Sequence, residues 1–386
     1  MSRQNWINFG MSYVGGAIAW RLPLALQFLF IFILWGTTPW LPESPRWLIA
    51  HDRLDEATRI LADLENKEVD DPQIVANRQE ILYSVEYERK NAIRWRDLMV
   101  GRTKAGTKAV RRLLLGAGSQ AMQQVSPSHV NTPSPIESTN TVQFGGINVM
   151  SYYLPTLLIS SVGLPDKMAR LIAAVSAIVY LIASAIAAPL VERCGRRMMM
   201  MVSTAIQFFA FLMMTILLYY AQKPGFAGQH KAAQATVVWF FVYYIGFGLG
   251  MLGIPWLYPT EINSLPMRTK GAAVATATDW ITNFVVVEIT PIGLQKLGWK
   301  FYIIFTVLNA AFLPILYLFY PETSDRKLED LDAYYRENPP LIVIRDKDSI
   351  SIKRPAKYVE MEQQDLQKVT EERKNSVVVE HKQELA

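Results

Sequence analysis

Two carboxylic acids interrupt an otherwise uncharged apolar run, Asp279 and Glu288 within Gly271–Gln295. An ionisable group in such a run is expensive to place in hydrocarbon, so it faces a cavity and marks a pathway or a proton-carrying site. Glu288 follows Asp279 by nine positions, about 2.5 turns of helix, which sends the two carboxyls to roughly opposite faces. One is expected on a cavity, and the other on a helix-packing surface or at an extracellular mouth. Covalent chemistry has no comparable candidates. The four histidines, His51, His129, His230 and His381, are scattered outside the apolar runs. No metal-ligand cluster, nucleophile elbow or Gly-rich phosphate loop is legible. An enzyme is not expected, nor is a cofactor or a metal site.

The elements that must hold those carboxyls are membrane helices. A chain of 386 residues could form two or three soluble domains, but 51% of its residues are hydrophobic and they lie in long uncharged runs. Leu22–Pro42, Leu171–Val191, Met198–Gln222, Ala232–Thr260 and Phe301–Pro321 contain no Asp, Glu, Lys or Arg, and each is long enough to cross a hydrocarbon core of about 30 Å. Gly271–Gln295 adds another span. A further one is assembled from Leu113–Gln124 and Phe144–Pro165, for about seven in all. The segment Pro45–Arg112 is dense in Lys and Arg, whereas the connection after the next span has only Lys167 and Arg170, so the first loop is placed in the cytosol. Basic residues alternate inside and outside at each later step. The net charge of +5 is thereby read as topology anchoring in a lipid bilayer, with no nucleic-acid partner. Cys194, the single cysteine, excludes an intrachain disulfide.

Short motifs close several of these spans. Pro42-Glu43-Ser44-Pro45-Arg46-Trp47-Leu48 follows the first, and Pro321-Glu322-Thr323 follows the last. Glu192-Arg193-Cys194-Gly195-Arg196-Arg197 follows Leu171–Val191. Pro255-Trp256-Leu257-Tyr258-Pro259-Thr260-Glu261 precedes Arg268 by seven residues. Together, and in this order from Asn5 to about Tyr335, they resemble the sugar porter family of the major facilitator superfamily, with wording similar to fungal hexose and lactose-permease-like members. The resemblance implies an all-α membrane fold of two six-helix halves. The two Pro-Glu signatures would end its sixth and twelfth helices. One span precedes the first signature, so the expected architecture is a major facilitator fold lacking helices 1–5, truncated at its N-terminus. Residues 1–42 would be the remnant of the N-terminal half, 43–112 a cytosolic loop, 113–321 the C-terminal six-helix half and 322–386 a mostly disordered cytosolic tail. Leu54, Ala57, Ile60, Leu61 and Leu64 recur at helical spacing in the loop. Such loop helices latch the two halves together in the family, and a solvated linker with helical tendency is the alternative.

The resemblance also places functional residues. Gln123, Gln124, Asn148, Trp256, Asp279, Trp280 and Asn283 are the expected substrate contacts. Amides donate and accept, which suits the hydroxyls of a sugar, and indole faces stack on its apolar side. The same amides could instead join helices, and the tryptophans could anchor at the membrane interface. Asp279 departs from the neutral Asn carried by many relatives. Glu43, Arg46, Glu192, Arg193, Arg196, Arg197, Glu261 and Arg268 match a cytosolic charge network that holds one state of the cycle. Each arginine alone could equally be a topology anchor. The implied activity is transport of a mono- or disaccharide by alternating access, with proton symport, in the plasma membrane and inactive in a truncated chain. A non-transporting sugar sensor of the same fold is the alternative.

One segment does not fit the pattern. Residues 125–143 are polar and proline-rich within an expected span, where irregular backbone cannot face lipid. Removing them joins Gln123-Gln124 to Phe144-Gly145-Gly146-Ile147-Asn148, which resembles the family's Gln-Gln-x-x-Gly-x-Asn motif. Val125-Ser126 can be encoded as GTAAGT, Thr139-Asn140 as ACTAAC and Gln143 as CAG, in the order of an intron's start, branch site and end. The segment is expected to be a retained intron, with a re-entrant loop as the competing reading. Sequencing the mature transcripts should show the codons for 125–143 spliced out, and their retention in every message would remove the idea.

Overall fold

A computed structural model describes residues 2–11, 13–14, 16–91, 93–99, 108–124, 154–159 and 162–360. The elements are helices: α1 Ser2–Met11, α2 Ile18–Thr37, α3 Pro45–Ala50, α4 Leu54–Glu65, α5 Pro72–Asn91, α6 Trp95–Met99, α7 Ala109–Gln124, α8 Asp166–Cys194, α9 Arg196–Gln222, α10 Gln229–Gly246, α11 Ile254–Ile262, α12 Arg268–Leu297, α13 Phe301–Phe319, α14 Leu328–Arg336 and α15 Lys347–Ile350. A π-turn, Phe247–Met251, joins α10 to α11. No strand occurs among the described residues. Among the described residues six stretches are long and apolar enough to cross a membrane: Arg21–Trp40, Asp166–Cys194, Arg196–Gln222, Gln229–Ile262, Leu265–Thr290 and Gly298–Phe319. Of the seventh expected span only the ends are described, as α7 and the helical stretch 154–159. The segment 125–143 and Asn148 lie outside the described residues.

Helix α9 is the centre of the bundle. It packs along α10 and α13 and against the π-turn, while α7 packs on α12 and α11, and α8 on α10, the π-turn and α1. Phe211 of α9 stacks on Phe305 of α13 with centroids 5.0 Å apart and meets Tyr243 of α10 edge-on at 5.0 Å. Within lipid, helices gain from close van der Waals contact rather than from leaving water, so small residues matter where backbones approach. Gly250 is such a point, since a Cβ there would overlap the Met199 carbonyl of α9. The residues ahead of α2 form a helix, α1, and Lys167 at the start of α8 lies 4.8 Å over the Tyr13 ring that follows α1. Helix α2 is apolar all round and exposed along its length, the signature of a surface that lipid or protein must cover.

The segment expected as a cytosolic loop folds on itself. Leu48, Ile49, Ala57 and Val85 from α3, α4 and α5 share a small core. The expected apolar stripe of α4 is only half used, because Ala57 is buried while Leu54 and Leu64 are exposed. The loop also docks on the bundle: Leu98, Ala109 and Met267 cluster, and Lys270 of α12 reaches the Ile93 carbonyl and lies 5.6 Å over the Trp95 ring.

Residues 322–360 differ from the disordered tail expected there. Mixed charge made this segment read as solvated, yet Tyr334, Tyr335, Val343, Ser349 and Tyr358 are buried in it. They form a cap against the helix ends. Arg112 of α7 donates to the Ile262 carbonyl of α11, pairs with Asp332 at 2.6 Å and lies 4.8 Å over the Tyr335 ring. Arg111 donates to the carbonyls of Pro339, Pro340 and Leu341 at 3.0, 2.9 and 3.2 Å. Arg354 grips Asp330 through two hydrogen bonds of 2.7 and 2.8 Å. Burial pushes the Tyr335 phenol above its ordinary range, with Arg111 and Arg112 pulling it back.

Removing one member of a buried ion pair costs about 3–5 kcal/mol, whereas exposed pairs contribute about 0–1 kcal/mol. The Arg112 side chain is 2% exposed, and that of Arg46, paired to Glu88 at 2.8 Å, is 46% exposed. Unfolding in detergent micelles should therefore show a large loss for Arg112→Ala and little for Arg46→Ala. Equal losses would contradict this account of the cap.

Candidate functional site

The α8–α9 turn shows how a sequence motif becomes an electrostatic device. Gly195 ends α8 with φ +82°, a conformation L side chains rarely adopt, and a Cβ there would overlap the Glu322 carboxylate. That carboxylate sits on the N-terminus of α9, where free N–H groups and the helix dipole favour an anion. It accepts from the amides of Arg196 at 2.8 Å and Arg197 at 3.1 Å, and from Thr323 and Ser324 at 3.0 Å each. The Arg196 guanidinium reaches Glu261 through Nε and Nη2, at 3.0–3.2 Å, and Glu192 at 2.9 Å from both Nη1 and Nη2. Ser324 accepts a further bond from Nη1 at 3.1 Å, and Thr323 donates to Glu261 at 2.6 Å. Arg197 turns away, donating to the Tyr317 carbonyl at 2.7 Å.

Of the eight residues expected in this network, Glu192, Arg196 and Glu261 meet, with Arg197 adjacent. Glu43 and Arg193 are exposed, and Arg46 pairs with Glu88 inside the loop. Arg268 keeps Nε and Nη2 buried with no hydrogen-bond partner among the described residues. Glu322, Thr323 and Ser324 were missed as members. Their signal was present in the Pro321-Glu322-Thr323 motif, but nothing in the chain order says that it folds beneath Gly195.

The second part of the site surrounds the π-turn. Pro255 has no amide hydrogen, so the Met251 carbonyl loses its helical partner. The Trp256 amide bonds to Gly253 at 3.1 Å, which leaves the Leu252 carbonyl without its own. Gln123 of α7 satisfies both, its Nε2 donating to Met251 at 2.7 Å and Leu252 at 3.1 Å. On the opposite side Ser203 of α9 donates to the Gly246 carbonyl at 2.6 Å and accepts from the Met251 amide at 3.1 Å. Gln207 supports the same hydroxyl at 3.0 Å. A cleft of about 290 Å³ adjoins the turn, lined by Ser184, Glu192, Gly248, Gly250 and Leu252 among others. Among the described residues, none of those expected to contact substrate lines it.

Those residues separate as follows. Gln123 is buried at 6% exposure, while Trp256 on α11 and Trp280 on α12 are exposed. Asp279 is 2% exposed, so of the two carboxyls in α12 it is the one on the packed face, and Glu288 points outward. Asn283, one helical turn beyond Asp279, is partly buried. The side chain of Gln124, like Asn148, lies outside the described residues.

A family model described as "Sugar (and other) transporter" matches residues 5–132 and 139–335. The chain belongs to that family. The interruption at 133–138 falls inside the proline-rich segment. Relatives include the MFS-type transporter oryC of Aspergillus oryzae, 60% identical over 94% of this chain and 64% of the relative. The sugar transporter STL1 of Saccharomyces cerevisiae is 29% identical over 86% of this chain and 53% of its own. Among solved structures, the proton:xylose symporter XylE bound to 6-bromo-6-deoxy-D-glucose superposes with a TM-score of 0.62 at 22% identity, covering 86% of this chain and 63% of that one. An inward-open form of XylE from E. coli gives 0.59 at 20% identity. This transporter-family chain is thus a multi-pass, all-α membrane protein of the major facilitator fold, spanning less than two thirds of these relatives, each of which is a transporter rather than an enzyme.

Glu322 serves four amides at once, so its loss leaves the start of α9 and the turn after α13 without an acceptor. Glu322→Ala should destabilise by about 1–3 kcal/mol and Gly195→Ala by a similar amount through strain. A shift in unfolding midpoint for Glu322→Ala no larger than for an exposed variant such as Glu43→Ala would overturn this assignment.

Proposed function

We propose that this chain forms the sugar-binding, C-terminal part of a fungal sugar porter that moves a mono- or disaccharide across the plasma membrane by alternating access, coupled to protons. The observation that carries the reading is the Gln123 amide, buried where α7 meets the π-turn, with its Oε1 lacking a hydrogen-bond partner among the described residues. An acceptor desolvated in this way is costly unless a donor arrives, and a sugar hydroxyl is such a donor. Gln124, Asn148, Asn283, Trp256 and Trp280 would complete the contacts by hydrogen bonding and stacking. The buried Asp279 is the natural proton carrier. In this reading the Glu192–Arg196–Glu261 cluster holds the cytosolic ends together in one state and opens in the other.

The names of the relatives support this reading unequally: STL1 is called a sugar transporter and XylE a proton:xylose symporter, while oryC is named only as a transporter. Being named as transporters, all three favour transport over the sensor alternative. Exposure of α2 and Trp280 supports the reading that the chain by itself does not transport. The test is uptake of labelled hexoses and disaccharides by yeast lacking its own sugar carriers. The chain alone should give none. The chain joined to the preceding half of a full-length relative should accumulate sugar, and Asp279→Asn in that protein should abolish accumulation against a gradient while sparing exchange. A joined protein that reaches the membrane yet carries no sugar would defeat the proposal, and sugar-dependent signalling without uptake would establish the sensor instead.

A further inference from the structure

Asp279 is a carboxyl buried at 2% exposure within a span, and no span of this chain offers it a cation. Lys, Arg and His are absent from Leu22–Pro42, Leu113–Gln124, Phe144–Pro165, Leu171–Val191, Met198–Gln222, Ala232–Thr260, Gly271–Gln295 and Phe301–Pro321. On α12 and the helices packed against it, the basic residues stand at the helix ends: Arg111 and Arg112 open α7, Arg268 and Lys270 open α12, and Lys296 and Lys300 flank the turn into α13. We propose that the sugar site recognises an amino sugar in its protonated, ammonium form, with Asp279 as the counter-ion and the side-chain oxygens of Gln120 and Gln123 as further acceptors. The inference rests on the sugar-binding reading above and names the substrate class that reading leaves open.

The three acceptors are matched in height and in face. Helices α7 and α12 pack along each other and start at the same end of the bundle, where Ala109 and Met267 cluster. Gly116 of α7 and Gly271 of α12 both abut the Asn263 carboxamide, since a Cβ at either would lie within 3.6 Å of its Nδ2. These glycines set a common level. Gln123 then lies seven residues beyond Gly116 and Asp279 eight beyond Gly271, about 10 Å and about 12 Å along their helices. Gly116, Gln120 and Gln123 recur at i, i+4 and i+7, and Gly271, Ala275 and Asp279 at i, i+4 and i+8, so each set shares one helix face. All six residues are buried.

The polarity of this patch is one-sided. Nε2 of Gln123 is spent on the Met251 and Leu252 carbonyls, which leaves Oε1 for a ligand, and Oε1 of Gln120 is likewise buried without a hydrogen-bond partner among the described residues. A sugar hydroxyl can donate to such oxygens, but an ammonium brings three donors and no acceptor. A carboxylate in hydrocarbon is costly unless a proton or a cation neutralises it. A neutral sugar therefore needs Asp279 protonated, whereas an amino sugar brings the neutralising charge itself. The loaded site carries no net charge in either case, as a carboxylic acid beside a neutral sugar or as a carboxylate beside an ammonium. A sugar acid is rejected, because its own carboxylate would meet Asp279 and two acceptor oxygens.

Binding of D-glucosamine, D-glucose, N-acetyl-D-glucosamine and D-glucuronate to the purified chain in lipid nanodiscs, followed by tryptophan fluorescence, tests the proposal. Glucosamine should bind at least about tenfold more tightly than glucose or its own N-acetyl form, the factor that a hydrogen bond to a charged partner supplies, and glucuronate should bind most weakly. Asp279→Asn should abolish the preference for glucosamine over N-acetylglucosamine. Asp279→Glu, which keeps the charge, should retain that preference and covers the case in which the asparagine variant does not fold. Equal affinity for glucosamine and glucose, or a preference that survives in folded Asp279→Asn, would overturn the proposal while leaving the sugar reading intact. Binding of none of the four counts against the sugar reading and against this proposal with it.

Discussion

A backbone N–H or C=O in hydrocarbon has no water to turn to, and each one left unpaired costs several kcal/mol. The π-turn breaks a ladder inside a span, and two further breaks, the α8–α9 turn and the end of α11, fall at the ends of spans beside the Arg196 cluster. The arrangement of the bundle follows from how these interruptions are covered. Ser203 and Gln123 cover the first from α9 and α7, and Glu322 covers the second from the far end of α13. At the third, Asn263 donates to the Pro259 carbonyl at 2.8 Å and Arg112 donates to Ile262. In each case except Asn263 the partner comes from a different helix. A break is then also a cross-link, and helices that lipid would let slide past one another are pinned at defined heights.

The two adjacent arginines at the start of α9 show how finely such pins are divided. Successive helical side chains diverge by about 100°, so Arg196 and Arg197 cannot share a partner. Arg196 gathers Glu192 and Glu261, tying α8 to α11, while Arg197 reaches the last turn of α13 and lies 5.3 Å over the Tyr317 ring. Their backbone amides take both oxygens of Glu322. Four helices thus meet at one residue pair. The carboxylates there are neutralised by hydrogen bonds and by guanidinium together, which is the condition under which buried charge stops being a liability.

Much of this was legible in the chain before folding, and for identifiable reasons. Spans are set by the length of uncharged runs, so the described crossings fall where composition put them. Motifs such as Pro255-Trp256 and Glu192-Arg193-Cys194-Gly195-Arg196-Arg197 are local, and local signals survive without coordinates. What failed was non-local. Glu43 and Arg46 carry the same Pro-Glu wording as Glu322, but they sit before a loop that builds its own core, and Arg46 finds Glu88 there. The cap at 322–360 looked disordered because its tyrosines are spaced among charges. The buried Tyr335 is covered by Arg111 and Arg112, more than two hundred residues earlier in the chain. No window of sequence contains both.

Gln123 marks the limit most clearly. Its residue type supports two readings, a ligand contact or a helix-joining amide, and the reading of the chain alone kept both. The geometry shows that they need not compete, because an amide has two ends. Nε2 joins α7 to the break before α11, and Oε1 meets no donor among the described residues. Assigning one role to one residue fails wherever a side chain carries a donor and an acceptor on separate atoms. In a membrane, where each atom must be satisfied separately, such side chains are well suited to make structure and ligand depend on each other.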